Sequence, residues 1–201
     1  MPVRSRWLPT AVALLCIATV AAIAIAIVTA IAIAVRTSTD DGLHADAGRR
    51  TQVALAPQDL YFVTQTSLGN QFQIDSGQLA AQKGGTQAIR SYARLMVSSH
   101  KAVNKTLGAI LQRKGPLPPP TLLKAAYETN LSTLRGEAGR PFDDDYVRGQ
   151  VDYQTANVAL YQYEIANGSD TDLTRFAQQT LPKIKDHLQK ALELEEHGAT
   201  R

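Results

Sequence analysis

An uncharged run from Leu8 to Val35, almost wholly Ala, Ile, Val and Leu, limits what this chain can fold into more than any other feature. Only Pro9, Thr10, Cys16, Thr19 and Thr29 interrupt it. An α-helix rises about 1.5 Å per residue, so roughly 20 apolar residues cross the hydrocarbon core of a bilayer. The run is longer than that, which predicts a transmembrane anchor over residues 8–35. A cleavable signal peptide is the competing reading. Its apolar region is usually about 7 to 15 residues long and ends at small residues, and Ala32-Ile33-Ala34 offers such an end. The length of the run favours the uncleaved anchor, and cleavage after Ala34 would instead leave a secreted or periplasmic protein. Bulky Leu15 precedes Cys16, where lipid attachment requires a small residue, so Cys16 reads as an apolar residue of the anchor.

Charge sets the orientation. Arg4 and Arg6 precede the run with no acid nearby, whereas Asp40, Asp41 and Asp46 follow Arg36. The positive-inside rule then places residues 1–7 in the cytoplasm and everything beyond Arg36 outside it, in a single pass through the cell membrane. The formal charge of +3 comes from 21 basic against 18 acidic residues, and Arg4, Arg6 and Arg36 account for the excess. The exported part is neutral and has no basic cluster interleaved with aromatics, which excludes nucleic acid as a partner class and leaves the membrane, through the N-terminal helix. The single cysteine lies in the anchor, so the exported domain has no internal disulfide and depends on packing.

Residues 36–56 are rich in Thr, Ser, Asp, Gly and Arg without apolar periodicity and read as a flexible tether. The domain, residues 57–198, opens at Pro57 with Asp59 in its first turn, a favourable helix start. Helical periodicity predicts a helix over 57–82, stopped at Gly84-Gly85, and a second over 86–113, stopped at Gly115 and Pro116. A shorter amphipathic piece over 121–134 follows. A third long helix runs from Pro141 to a left-handed stop at Asn167-Gly168. The fourth opens at Ser169-Asp170-Thr171-Asp172, a capping sequence, and continues to His197-Gly198. Long helices with short connections pack antiparallel. The expectation is an all-α, antiparallel four-helix bundle with an extra short helix in the middle crossover, preceded by one transmembrane helix.

The core stripe of each helix follows its spacing of three and four residues. On the first helix it is Leu68, Phe72, Asp75 and Leu79; on the second Ile89, Tyr92, Met96, His100, Val103 and Leu107. The third has two adjacent apolar faces, one of them Val147, Val151, Gln154, Val158 and Ile165. The fourth carries Leu173, Ala177, Thr180, Ile184, His187, Ala191 and Leu194. Each stripe holds a polar residue near mid-helix, so Asp75, His100, Gln154 and His187 can converge at one level of the bundle. Their burial costs several kcal/mol unless they pair with one another or with an ion. One reading has them fix helix register as a hydrogen-bonded core. The other gives His100, His187 and Asp75 one divalent metal ion, with Gln154 and Gln73 behind the ligands. No motif demands a cofactor. Three residues before His100 is Val97, and before His187 is Ile184, so the Glu-x-x-His pair of carboxylate di-metal enzymes is missing. Pro182 is predicted to bend the fourth helix. Tyr146, Tyr153, Tyr161 and Tyr163 read as packing rather than a redox chain, and Asp143-Asp144-Asp145 as helix-dipole complements. There is no Gly-rich phosphate loop, paired-cysteine motif or nucleophile elbow.

Gly77-Gln78-Leu79-Ala80-Ala81, then Met96 through His100, then Thr180-Leu181-Pro182 through His187-Leu188 together resemble the bacterial exported proteins grouped as domain of unknown function family 4142. The resemblance covers about residues 57–195. It implies a ferritin-like bundle, a Glu-x-Glu pair on the first helix and histidines on later ones. Here Gln73 and Asp75 stand at the two acidic positions and Gln154 at a histidine position, while His100 and His187 match. Glutamine is a poor ligand for zinc or iron, so the departures weaken a metal site of that type. The resulting expectation is a membrane-tethered, extracytoplasmic binding or structural module of the cell envelope, non-enzymatic; the alternative is a metal-binding or redox protein with a His/carboxylate site at mid-bundle.

Overall fold

Pro57 opens the first helix, α1 (Pro57–Lys83), with Asp59 in its first turn; the helix ends where the Gly84 N–H donates to the Ala80 carbonyl, 3.0 Å away. The computed structural model describes residues 55–115 and 123–199. The expected anchor, the cytoplasmic N-terminus and the tether up to residue 54 lie outside the described residues, as does the Pro116–Pro120 cluster. Among the described residues no helix is long and apolar enough to cross a membrane, and every regular element is helical.

Thr86 caps α2 (Gln87–Leu111), its side-chain oxygen accepting from the Ile89 N–H at 3.1 Å. The crossover holds α3 (Leu123–Gly136). Gly139, at φ +62°, starts α4 (Gly139–Asn167), two residues earlier than Pro141; only a residue without Cβ adopts that backbone cheaply. Asp170 starts α5 (Thr171–Ala199), its Oδ1 accepting from the N–H groups of Asp172 and Leu173 at 3.0 and 3.1 Å. The helix continues through Pro182, which is exposed. The left-handed stop expected at Gly168 is not found: the residue is extended, at φ −66° and ψ 142°. Its lack of a side chain matters for space instead, because a Cβ there would come within 2.7 Å of the Glu164 carbonyl oxygen, its Oε1 and the Thr174 methyl.

The four long helices close a ring: α1 packs on α2 and α4, and α5 packs on α4 and α2. Two apolar clusters show how they run. One joins Phe62 and Val63 at the start of α1 to Val103, Leu107 and Ile110 late in α2, Tyr161 late in α4, and Leu173 to Ile184 early in α5. The other joins Ala80 late in α1 to Ile89 through Met96, Phe142 through Val147, and Ala191 late in α5. Each helix is therefore antiparallel to both of its neighbours. Short α3 lies against α1. The Phe72 and Tyr127 rings stack with centroids 5.0 Å apart, and the Lys83 ammonium donates to the Leu134 and Arg135 carbonyls, both at 3.0 Å, near the end of α3.

Candidate functional site

Between the two apolar clusters the interior turns polar. The buried residues at that level are Asn70, Gln73 and Ser76 on α1, Ser99 and His100 on α2, Gln150, Gln154 and Asn157 on α4, and His187 on α5. Gln73, Ser76, His100 and Gln154 have no exposed surface. Together they form a belt across the bundle, and no residue of it is a carboxylate, lysine or arginine.

His100 is the best-defined member. Its Nδ1 lies 2.7 Å from Asn70 Oδ1, and Asn70 Nδ2 donates to Asn104 Oδ1 at 2.8 Å. With the Asn70 amide oriented by Asn104, its carbonyl oxygen can only accept, so His100 carries its proton on Nδ1. Its Nε2 is then a bare lone pair, buried and without a partner. His187 Nε2 lies 3.0 Å from Ser99 Oγ, and its Nδ1 has no partner. The two imidazole rings are neighbours, their centroids 5.5 Å apart and their planes tilted by 43°. Burial holds both neutral: it pushes the His100 pKa down to about 3, helped by His187 and Lys183, and that of His187 down to about 4 against the attraction of Asp186.

Other groups close the belt. Gln154 Nε2 reaches Met96 Sδ at 3.5 Å, while its Oε1 is unpartnered. The Tyr92 hydroxyl lies 3.3 Å from both Gln150 Oε1 and the His187 carbonyl. Gly69 admits the Tyr153 ring, since a Cβ at that position would sit 2.2 Å from the Tyr153 hydroxyl. Both amide atoms of Gln73, the Ser76 hydroxyl and the Thr66 hydroxyl also lack partners. Leaving a buried polar group unpaired costs about 1–3 kcal/mol, so a belt with several such atoms is expensive to fold around.

The structure separates the residues predicted to converge. His100, His187 and Gln154 lie in the belt, as does Gln73. Asp75 does not: it is half-buried and accepts a hydrogen bond from Gln71 Nε2 at 3.0 Å on the outer side of α1. No group of three or more His, Cys, Asp and Glu is placed to hold a metal among the described residues. The rotation of α1 thus sets Asp75 apart from His100 and His187. Its inward face is Thr66, Gly69, Asn70, Gln73, Ser76, Gly77 and Ala80, small and polar, while Phe72 on the expected stripe stacks against α3. A similar shift affects α4, where Val151, Val158 and Ile165 are only partly buried and Tyr146, Gln150, Asn157 and Tyr161 are fully so. Asn70, Ser99, Gln150 and Asn157 do not stand out in the sequence. Their signal is the small-polar spacing on α1 and α4, which hydrophobic periodicity does not register.

Ser99 and His187 have the spacing of a nucleophile and its base, but no residue orients His187 through Nδ1 and the hydroxyl is buried. On the surface, a shallow groove of about 340 Å³ runs along α1 and α2 by Gln78, Gln82, Arg94 and Lys101, and no belt residue lines it.

Comparison with known proteins agrees with this architecture. A crystal structure of a DUF305 fragment from Deinococcus radiodurans is similar with a TM-score of 0.63 at 16% identity, covering 71% of this chain and 98% of that chain. At that identity the likeness speaks to the fold alone. No curated protein matches. The family model described as "Domain of unknown function (DUF4142)" matches residues 44–194. Three features of the structure account for the motifs that carry the resemblance. Gly77 lets α1 and α2 approach, a Cβ there falling 2.9 Å from a Val97 methyl; Met96 and His100 enter the belt from α2; and His187 meets them from α5. The chain belongs to domain of unknown function family 4142 (DUF4142).

Proposed function

We propose that this protein is a ferritin-like four-helix bundle held outside the cytoplasm by an N-terminal membrane anchor, and that it acts as a non-enzymatic binding module of the cell envelope. The anchor reading rests on the uncharged run at 8–35 and the Arg4/Arg6 flank. The binding reading rests on one observation: side-chain atoms of Gln73, His100, Gln154 and His187, contributed by all four long helices, are buried at one level without partners. A bundle whose only requirement was stability would place apolar residues there, since replacing polar groups by apolar ones of the same shape is often neutral or stabilising. The polar belt therefore marks the level at which the interior meets something other than itself.

Two measurements test the proposal. A reporter enzyme active only outside the cytoplasm, fused after Arg201, should be active in cells; an inactive fusion overturns the tethered, exported reading. Native mass spectrometry of the full chain, purified from cells without a metal-affinity tag, should show a species heavier than the bare chain. A mass equal to the bare chain in every preparation, with a melting temperature unchanged by dialysis, overturns the binding role.

A further inference from the structure

We propose that the belt takes one monovalent soft metal ion, cuprous copper, on His100 Nε2, His187 Nδ1 and Met96 Sδ; this deepens the binding-module reading and rests on it.

The donor atoms are available and oriented. Asn70 holds the proton of His100 on Nδ1, turning the bare Nε2 lone pair into the interior. Ser99 can take the same part for His187: where its oxygen accepts from Nε2–H, Nδ1 is the free donor. Ligating histidines are characteristically fixed in this way through the ring nitrogen that does not bind the metal. The ring centroids are 5.5 Å apart. Rings at that spacing are close enough for one nitrogen of each to share an ion through bonds of roughly 2 Å.

Met96 supplies the third donor. It lies one helical turn before His100 and has no exposed surface. The His187 main chain meets Tyr92 one turn before Met96, while its ring reaches Ser99 beyond it. Met96 thus lies on the stretch of α2, between Tyr92 and Ser99, that His187 contacts at both ends. Gln154 Nε2 reaches the same sulfur at 3.5 Å from the opposite helix.

The chemistry of the donor set selects the ion. Imidazole and thioether are neutral, and the thioether favours Cu(I) among the biological metals. The energy of moving an ion into a medium of low dielectric grows with the square of its charge, so a divalent cation in a belt without a carboxylate faces a far larger penalty than a monovalent one. With Asp75 outside the belt, the neutral donor set that remains suits a soft monovalent ion.

The test is an anaerobic titration of the full chain in detergent with Cu(I), in competition with a chromogenic Cu(I) chelator. Cys16 is replaced by Ser throughout, because a thiol is itself a Cu(I) ligand. One ion per chain is expected, with a sulfur shell in the X-ray absorption spectrum. Met96→Leu, close in volume, should keep the circular dichroism of the parent, weaken binding by at least about tenfold, as loss of a metal-site interaction does, and abolish the sulfur shell. His187→Gln should weaken binding at least as much. Where either variant loses its fold, Asn70→Ser, which frees His100 to rotate, provides the same comparison. Failure of folded parent protein to bind Cu(I), or binding by Met96→Leu equal to the parent's, overturns the proposal. A bound mass other than copper in the native spectra overturns it too while leaving the binding-module reading standing.

Discussion

The neutral, buried state of His100 and His187 has a consequence that acid denaturation measures. Both side chains have a pKa of 6.5 when exposed; in the fold burial lowers them to about 3 and about 4. A group with a depressed pKa contributes stability above its unfolded value and loses it as the pH falls toward its folded value, because the unfolded chain takes up protons that the folded one refuses. Between about pH 8 and about pH 5 the folded protein leaves both rings neutral, so their contributions add; each amounts to RT ln(1 + 10^1.5), about 2 kcal/mol, and the pair to about 4 kcal/mol. Glu164 works in the opposite direction. Burial, with Asp59 and Asp170 nearby, raises it to about 7 from 4.5, so its contribution is fully present below 4.5 and is lost as the pH rises through 7. It masks part of the histidine effect over the same range. The measurement is therefore made on metal-free residues 50–201, a compact unit by its own contacts, carrying Glu164→Gln. Urea unfolding followed by far-ultraviolet circular dichroism gives the free energy at each pH. Adding His187→Gln should halve the loss of stability between the two ends of the range, and His100→Gln together with His187→Gln should remove most of it. If the parent loses no more stability than the double variant, the histidines are not held neutral and the belt does not bury them as described.

Three further outcomes follow from particular contacts. Gly69→Ala places a methyl 2.2 Å from the Tyr153 hydroxyl and should cost about 1–3 kcal/mol by overpacking, read from the urea midpoint; Gly108→Ala, with nothing within 4 Å of its Cβ, should instead be neutral or stabilising, as glycine in a helix interior costs about 1 kcal/mol relative to alanine. Asp59→Ala should cost about 1–3 kcal/mol, because this buried carboxylate accepts from the Ser169 and Asp170 N–H groups at 2.9 and 3.2 Å and ties the start of α1 to the α4–α5 turn; amide exchange at those two groups should quicken. Asp75→Ala, which loses only an exposed bond to Gln71, should change stability by less than about 0.5 kcal/mol and leave any metal content untouched, whereas an inward Asp75 would give a large effect on both.

Most of the helix boundaries were legible because local chemistry sets them. Pro57, the Thr86 side chain and Asp170 act within a turn of their own positions, and a helix start depends on little else. The stripes on α2 and α5 were equally legible, Ile89 through Leu107 and Leu173 through Ala191 being buried as their spacing predicts. These helices have one apolar face and hence one way to turn it inward. What the sequence alone determined is therefore the all-helical architecture, the family, the neutral balance of the part beyond Arg36, and the placement of His100 and His187 on inward faces.

The tertiary structure decided which way α1 and α4 rotate. On α1 the apolar residues compete with a row of small and polar ones, and the apolar Phe72 is stacked on Tyr127 of α3, a partner about fifty residues away in the chain. Once α3 covers that face, Asn70 and Gln73 turn inward and Asp75 turns out, exchanging a charged residue of the interior for neutral amides. Rotation of one helix by about 100° per residue shifts a site by one position, and only packing against a distant element selects among such rotations. The expectation of an anchor over the uncharged run from Leu8 to Val35 rests on composition alone, since a segment apolar on every face needs no particular rotation to be read as a span.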